Sequence, residues 1–324
     1  MNAEIFVEWL RRQGHRIIRT ASSFWCDQGP RVYQAVPHHL RIQPSERELR
    51  QLLLGERAVA LRYSTPLQAA LGKVSYHVVL EGASYSLGLL SANARSTVQR
   101  GLKRCRVEQI SLNRLAEEGW RLQRDILERQ GRVGSLDRKK WERLSMAAKD
   151  LPGFEAWGAI VQGALAASIL TACVDGVCYM LYPQSHRDYF ASYANNALAY
   201  TVTHEMLSRP GVEAIFYGLH SLDAPASVDE FKFRMGYTAR PVRQRVLFHP
   251  WLRPLVNRAS YVALRYLRHW RPDSSPLAKT EGVWRFYLEG RRPSDKQRWP
   301  ECLRHETPRS AVTADGEPLA TPGG

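Results

Sequence analysis

The sequence lacks the features that identify several common protein classes. No apolar run approaches the ~18 residues that a membrane-spanning helix needs, and the 5 cysteines among 324 residues form no CxxC pair. Motifs of the HExxH, P-loop and GxSxG types are missing as well. These absences argue against a transmembrane helix, a disulfide framework, a motif-defined zinc or nucleotide site and a serine hydrolase. We therefore expect chemistry that uses no metal.

Acidic residues are scarce, and their distribution is uneven. Against 46 Lys and Arg the chain has 31 Asp and Glu, a net charge of +15. Residues 91–150 hold 15 basic and 8 acidic residues, residues 151–230 hold 2 and 8, and residues 231–300 hold 16 and 4. An acidic block thus lies between two basic ones. A basic surface attracts nucleic acid, anionic lipid or a phosphorylated small molecule; a solvated basic face is the alternative.

The N-terminal segment does not have the basic-then-apolar order of a secretory signal. With few cysteines and no export signal, a reducing compartment is the default. The expected location is therefore the cytoplasm, either free or peripherally at the inner face of the membrane.

Two glycine-containing turns mark the clearest local structure. Asp175-Gly176 between apolar runs is a strong hairpin signal, because type I′ turns require positive φ at both central residues. Gln162-Gly163 is a weaker version of the same signal. Together they predict an antiparallel meander of three strands, over residues 154–161, 164–174 and 177–184.

The meander is followed by alternating helices and strands. Apolar spacing predicts a helix over 195–209, and residues 214–219 have the composition of a buried strand. Ser227 and Glu230 form a capping-box pattern for a helix that ends at Gly236, before a strand over 240–248. A basic amphipathic helix is predicted over 255–270. It is suited either to an anionic membrane surface or to packing against the sheet.

Two segments resemble motifs of known acyltransferases. The residues SLD at 221–223, followed by VDEFKFRMGY at 228–237, resemble the G…FK…G[FY] segment of Fem-type peptidoglycan aminoacyltransferases and related acetyltransferase-like proteins. The basic segment RSTVQRGLKR at 95–104 resembles the helix upstream of the acyltransferase core in those proteins. The order of elements from 154 to 248 is similar to the core of the GNAT (acyl-CoA N-acyltransferase) fold.

The resemblance implies an α+β fold of the GNAT type, with a mixed central sheet flanked by helices. In that fold the strand after the meander runs parallel to the meander's last strand, and the two splay apart to receive the acyl thioester. The chain is expected to comprise an N-terminal α+β subdomain, a GNAT-like domain, a basic C-terminal helix with an extension, and a disordered tail. The expected boundaries are 1–90, 91–250, 251–304 and 305–324.

Candidate catalytic residues follow the strand predicted at 214–219. His220 is a natural general base for deprotonating an amine, because the ordinary pKa of histidine is close to neutral. Asp223 is the candidate to orient it, and Ser221 lies between them; a plain polar loop is the alternative. The candidate donor-binding residues are Asn195, Asn196, Lys232 and Arg234. Helix capping by an asparagine and a supporting lysine at 232 are the structural alternatives.

The identity of the donor stays open at this point. GNAT enzymes that use acetyl-CoA usually carry a [QR]xxGx[GA] turn before the helix that binds pyrophosphate, whereas residues 185–197 here contain no glycine. Acyl-CoA is the leading prediction, with an amine of unknown identity as acceptor. One alternative is a Fem-type enzyme that takes amino acids from charged tRNA, bound through the basic segments. Another is a non-catalytic relative that binds an anionic membrane or nucleic acid through residues 231–300.

Overall fold

The computed structural model describes residues 1–29, 31–82, 84–131, 136–221, 227–271 and 274–306. The strands of this part of the chain form one mixed sheet of 11 strands. They are β1 (Ile17–Arg19), β2 (Phe24–Asp27), β3 (Val32–Val36), β4 (Ala60–Thr65), β5 (Lys73–Glu81), β6 (Arg106–Ile110), β7 (Phe154–Val161), β8 (Ala164–Val174), β9 (Val177–Ser185), β10 (Ala214–Leu219) and β11 (Thr238–Phe248). Their spatial order is β1-β2-β3-β4-β11-β5-β10-β9-β8-β7-β6. The pairs β3–β4 and β9–β10 are parallel, and the other neighbours are antiparallel.

Helices cover both faces of the sheet. They are α1 (Ala3–Arg12), α2 (Glu46–Arg50, continued by a π-helical turn Gln51–Gly55), α3 (Ala92–Arg104), α4 (Leu112–Arg129), α5 (Arg138–Met146), α6 (Ala194–Leu207), α7 (Ser227–Arg234), α8 (Arg258–Trp270) and α9 (Ser275–Gly290). None of the helices in the described residues is long and apolar enough to cross a lipid bilayer.

The predicted meander is confirmed. Asp175 and Gly176 have φ of 48° and 78°, and Gln162 and Gly163 have φ of 50° and 84°. Positive φ at both central residues is the geometry whose twist matches antiparallel strands. The turns therefore set the register of β7, β8 and β9. The predicted parallel strand is confirmed as well, as β10.

The core lies in layers on the two faces of the sheet. On one face, Leu198 and Val202 of α6 pack against Ile215 and Tyr217 of β10. On the other face, α1, α4 and α5 pack against the alternate residues of the same strands, such as Phe216. Residue-by-residue alternation along a strand is what allows β10 to be buried on both sides.

The structure differs from the sequence-based expectations at the carboxyl end of the chain. The basic amphipathic helix begins at Arg258 rather than 255, because Asn257 and Ser260 form a capping box. Helix α9 and the edge strand β6 were not predicted from the sequence. The proposed subdomain division stays a prediction; strands from residues 1–90 and 91–250 share the one sheet. Residues 307–324 of the predicted tail lie outside the described residues.

Candidate functional site

The parallel strands β9 and β10 separate towards their carboxyl ends. They pair at only three positions, Ala214 with Val177, Ile215 with Cys178 and Phe216 with Tyr179. Beyond these, β10 has an irregularity between Phe216 and Gly218. Strand β9 has an irregularity opposite Ser168 and Leu170, where Tyr182 adopts a φ of 48°. Because both strands run the same way, their ends and the residues that follow them meet at one edge of the sheet.

His220 directly follows β10 at this edge. Its Nδ1 lies 3.1 Å from Ser75 Oγ on β5, and its ring stacks on the Tyr76 ring with centroids 4.4 Å apart. Its backbone N–H donates to the Tyr76 carbonyl at 3.0 Å. Among the described residues, none hydrogen-bonds Nε2.

Burial sets the protonation state of His220. It lowers the pKa of the imidazole to about 4, and the cations Lys73, Arg285 and Arg62 act in the same direction, whereas Asp229 opposes them. The ring is therefore neutral at physiological pH. A neutral imidazole can accept a proton, which is the state that a general base requires.

A cavity of about 570 Å³ opens beside His220. Ser221, Leu219 and Arg62 contribute to its wall, together with apolar residues of β4, β11 and α9. The Arg62 guanidinium donates to Gln244 Oε1 and approaches the His220 carbonyl at 3.4 Å. The cavity thus places a cation held by Gln244 and a neutral imidazole beside a wall that is partly apolar and also contains a lysine, two glutamines and a threonine.

The structure brings two of the three predicted catalytic residues to this cavity. His220 and Ser221 both line it, whereas Asp223 lies outside the described residues, so its role stays a prediction. The side chain that bonds the imidazole among the described residues is Ser75, which was not predicted. Polar Ser75 and His77 alternate with apolar residues along β5. This alternation was the one sequence signal that could have indicated polar side chains on the face of β5 near His220.

The amino terminus of α6 lies beside the basic helix α3. Tyr193, the residue before α6, adopts a left-handed φ of 56° and provides no side-chain cap. Its ring faces the guanidinium groups of Arg100 at 5.5 Å and Arg104 at 5.7 Å. A Cβ on Gly101 of α3 would lie only 2.6 Å from the Tyr193 carbonyl oxygen. The glycine therefore permits the close approach that brings both arginines to the start of α6.

The structural alternative for these residues, that one of the two asparagines caps the helix, is wrong. The helix begins at Ala194, one residue earlier than expected, so Asn195 and Asn196 lie inside its first turn. The Asn196 side chain approaches Met235 Sδ at 3.9 Å. In this turn the N–H groups of Asn196 and Ala197 donate to the Tyr193 carbonyl at 3.0 and 3.1 Å. The start of a helix favours anions, and Arg100 and Arg104, which bond the Tyr193 hydroxyl and the Ala191 carbonyl, add positive charge there.

Lys232 has internal partners. Its ammonium lies 2.6 Å from Asp229 Oδ1, and the two side chains are 14% and 9% exposed. Tyr76 donates its hydroxyl to Asp229 Oδ2 at 2.7 Å, and Lys232 Nζ lies 5.1 Å from the centroid of the Tyr217 ring. Arg234 is exposed in the last turn of α7. Tyr76 thus contacts both groups: its hydroxyl bonds Asp229, and its ring stacks on His220. These internal contacts favour a structural role for Lys232 over ligand binding.

Buried histidines predict a strong dependence of stability on pH. Burial lowers the pKa of His38, His39 and His220 to about 4 and that of His77 to about 3. The unfolded chain takes up protons near pH 6.5, where the folded protein does not. The free energy of unfolding is therefore highest above pH 6.5 and decreases as the pH falls towards 4. His220 alone accounts for a decrease of roughly 3 kcal/mol.

Urea unfolding at a series of pH values checks this expectation. The free energy of unfolding should fall steeply below pH 6.5, and His220→Gln should flatten the profile. His269→Gln, at an exposed position in α8, is the matched control. A profile that His220→Gln leaves unchanged would contradict the burial argument.

The described residues contain no group of three or more His, Cys, Asp or Glu side chains that could hold a metal ion. The sequence matches no protein-family model and no curated protein.

Solved structures similar to the chain share its fold at low sequence identity. FemX is 12% identical, with 77% of this chain and 92% of that chain covered and a TM-score of 0.52. L-PGS from Bacillus licheniformis is 11% identical, with 88% and 92% covered and a TM-score of 0.50. The C-terminal DUF2156 domain of a putative lysylphosphatidylglycerol synthetase from Agrobacterium fabrum is 11% identical, with 75% and 87% covered and a TM-score of 0.50. The chain thus has the GNAT/Fem-like fold that its motifs resemble.

Proposed function

We propose that this protein transfers an acyl group from acyl-CoA to an amine, with His220 as the general base. The observation that carries the proposal is the neutral imidazole at the end of β10, whose Nε2 no described residue bonds. It borders a cavity lined by the end of β10 and by residues of β3, β4, β11 and α9, and β10 is the strand that separates from β9. The donor's phosphates would lie at the first turn of α6 beside Arg100 and Arg104. Its thioester would enter between the strands.

The proposed chemistry is direct attack. The amine nitrogen bonds to the thioester carbonyl carbon, and His220 Nε2 takes the proton that the nitrogen loses. The carbon–sulfur bond then breaks, and the thiolate leaves with that proton as a thiol. Addition to the carbonyl makes the amine nitrogen a stronger acid than the free ammonium, which favours proton transfer to the imidazole. Arg62 would orient a polar group of the acceptor.

Donor binding is tested by thermal stabilisation. Millimolar acetyl-CoA and a long-chain acyl-CoA should raise the melting temperature, because a ligand at 100 times its Kd adds about 2.7 kcal/mol to the free energy of unfolding. Combining Arg100→Glu with Arg104→Glu should abolish the shift. Arg138→Glu, an exposed charge reversal on α5, is the matched control and should keep it.

A second candidate is aminoacyl transfer from charged tRNA. Two observations favour it: the stretch before α6 contains no glycine and has Tyr193 at the left-handed position, and the neighbours reported above include FemX and a putative lysylphosphatidylglycerol synthetase. If both CoA esters leave the melting temperature unchanged and lysyl-tRNA binds in a salt-dependent manner, this candidate replaces the first. If neither donor binds, the result favours the third alternative, a non-catalytic protein that binds an anionic membrane or nucleic acid.

A further inference from the structure

Helix α8 is attached to the rest of the protein through polar contacts. Tyr261 donates its hydroxyl to Glu281 Oε1 of α9 at 2.6 Å, and Arg268 donates to Oε2 of the same carboxylate at 2.8 Å. The indole N–H of Trp284 on α9 approaches Ser260 Oγ at 3.3 Å. The side of α8 that faces the protein is therefore held by these polar contacts, with Leu264 half-buried among them.

The apolar side of α8 faces solvent. Val262, Tyr266 and Trp270 recur every four residues on the side away from α9, and Tyr266 and Trp270 are 62% and 69% exposed. No residue of α8 is buried. Trp251, 82% exposed, and Leu255 precede the helix in the sequence and are exposed as well. Amphipathic helices of soluble proteins normally turn this side towards the core, so α8 has the reverse orientation.

The exposed apolar side chains are concentrated at this place. Of the 13 large hydrophobic side chains exposed in the described residues, 6 lie between positions 251 and 270. Scattered single exposed side chains are ordinary, whereas a contiguous patch marks an interaction surface. We call the exposed apolar residues of the helix itself, Val262, Tyr266, Leu267 and Trp270, the α8 patch.

The charges around the α8 patch indicate what covers it. Arg258, Arg265 and His269 project on one flank of the patch at helical spacing, and the helix sequence contains no acidic residue. Residues 231–300 as a whole hold 16 basic and 4 acidic side chains. A second copy docked on the same patch would bring these basic flanks together, which like-charge repulsion opposes. An anionic surface complements them.

We propose that the α8 patch binds the surface of an anionic lipid bilayer. The helix lies in the plane of the interface, with Tyr266 and Trp270 at the centre of the buried face and Val262 and Leu267 on either side of them, all at the boundary of headgroups and acyl chains. The arginines contact lipid phosphates. The association is peripheral, because no described helix can span the bilayer. It does not depend on the proposed transferase chemistry.

Sedimentation with vesicles tests the proposal on the full chain. The protein should pellet with vesicles of phosphatidylglycerol and phosphatidylcholine in equal amounts, and much less with phosphatidylcholine alone. Combining Val262→Glu with Trp270→Glu should lower the partition coefficient by about tenfold or more, since each change removes a side chain from the apolar interior. Removing one basic side chain, as in Arg265→Gln, should lower it about fivefold at low salt and less at high salt.

Leu89→Glu is the matched control, because Leu89 is 62% exposed and lies outside the α8 patch. It should bind vesicles as the wild type does, and all variants should keep the wild-type melting temperature. The proposal is overturned if the wild type does not pellet with anionic vesicles, or if the double variant pellets equally well. It is also overturned if light scattering reveals a dimer that Trp270→Glu converts to a monomer, because a second copy would then cover the patch.

Discussion

Replacing His220 with alanine is expected to lower turnover by about 10²–10⁴-fold, the range over which a positioned general base acts. Donor binding should be nearly unchanged, because the groups proposed to hold the donor's phosphates lie on α3 and α6. The measurements are the release of free CoA from an acyl-CoA with a panel of primary amines and the donor-induced shift of the melting temperature. A large loss of turnover with an intact shift would mark His220 as a residue of the chemical step.

Two further variants make this experiment specific. Ser75→Ala removes the hydroxyl that bonds Nδ1 at 3.1 Å, so it should reduce turnover less than His220→Ala does. His269→Ala, at an exposed position in α8, should leave turnover unchanged. If His220→Ala keeps the wild-type turnover, the proposed general-base role of this histidine is wrong, whatever donor the protein uses.

The second large effect is expected at Lys232. Lys232→Met keeps the aliphatic stem but removes the ammonium that lies 2.6 Å from Asp229 Oδ1. Breaking a buried ion pair by removing one partner leaves the other charge uncompensated, at a cost of about 3–5 kcal/mol. We expect a loss of that size in the free energy of unfolding by urea, with donor-induced stabilisation retained.

A double variant and a control on the same helix distinguish an ion-pair role of Lys232 from a ligand-binding role. Adding Asp229→Asn to Lys232→Met removes the uncompensated carboxylate and should restore part of the lost stability. Arg234→Met changes an exposed charge in α7 and should stay within about 0.5 kcal/mol of the wild type. If Lys232→Met instead keeps its stability and loses donor binding, Lys232 binds the ligand, as the Fem-type resemblance implies.

The meander and the strand after it could be predicted because their signals are local. Asp175-Gly176 specifies its own turn geometry, since few residue pairs tolerate positive φ at both positions. The apolar composition of β10 likewise indicates burial on both faces, whatever packs there. The motifs at 95–104 and 228–237 led to the same fold class that the similar solved structures have.

The partners of the site residues could not be predicted, because they come from distant parts of the chain. Ser75 and His220 are separated by 145 positions, and only the antiparallel pairing of β5 with β10 brings them together. The close approach of α3 to α6 depends on Gly101, which in sequence is one small residue in a basic helix. The start of α6 at Ala194 followed from the left-handed backbone at Tyr193, which propensity does not indicate for tyrosine.

The amphipathic helix predicted over 255–270, which is α8 in the structure, shows what the sequence determines and what it leaves to the tertiary structure. Its sequence determined that one side is apolar and the flank basic, because those properties follow from the spacing of side chains at 3.6 residues per turn. Which side faces the protein was decided only in the tertiary structure. The buried carboxylate of Glu281 accepts hydrogen bonds from Tyr261 and Arg268 and so holds the polar side inward. A pattern within one element fixes its faces, but the charges of the neighbouring elements decide their direction.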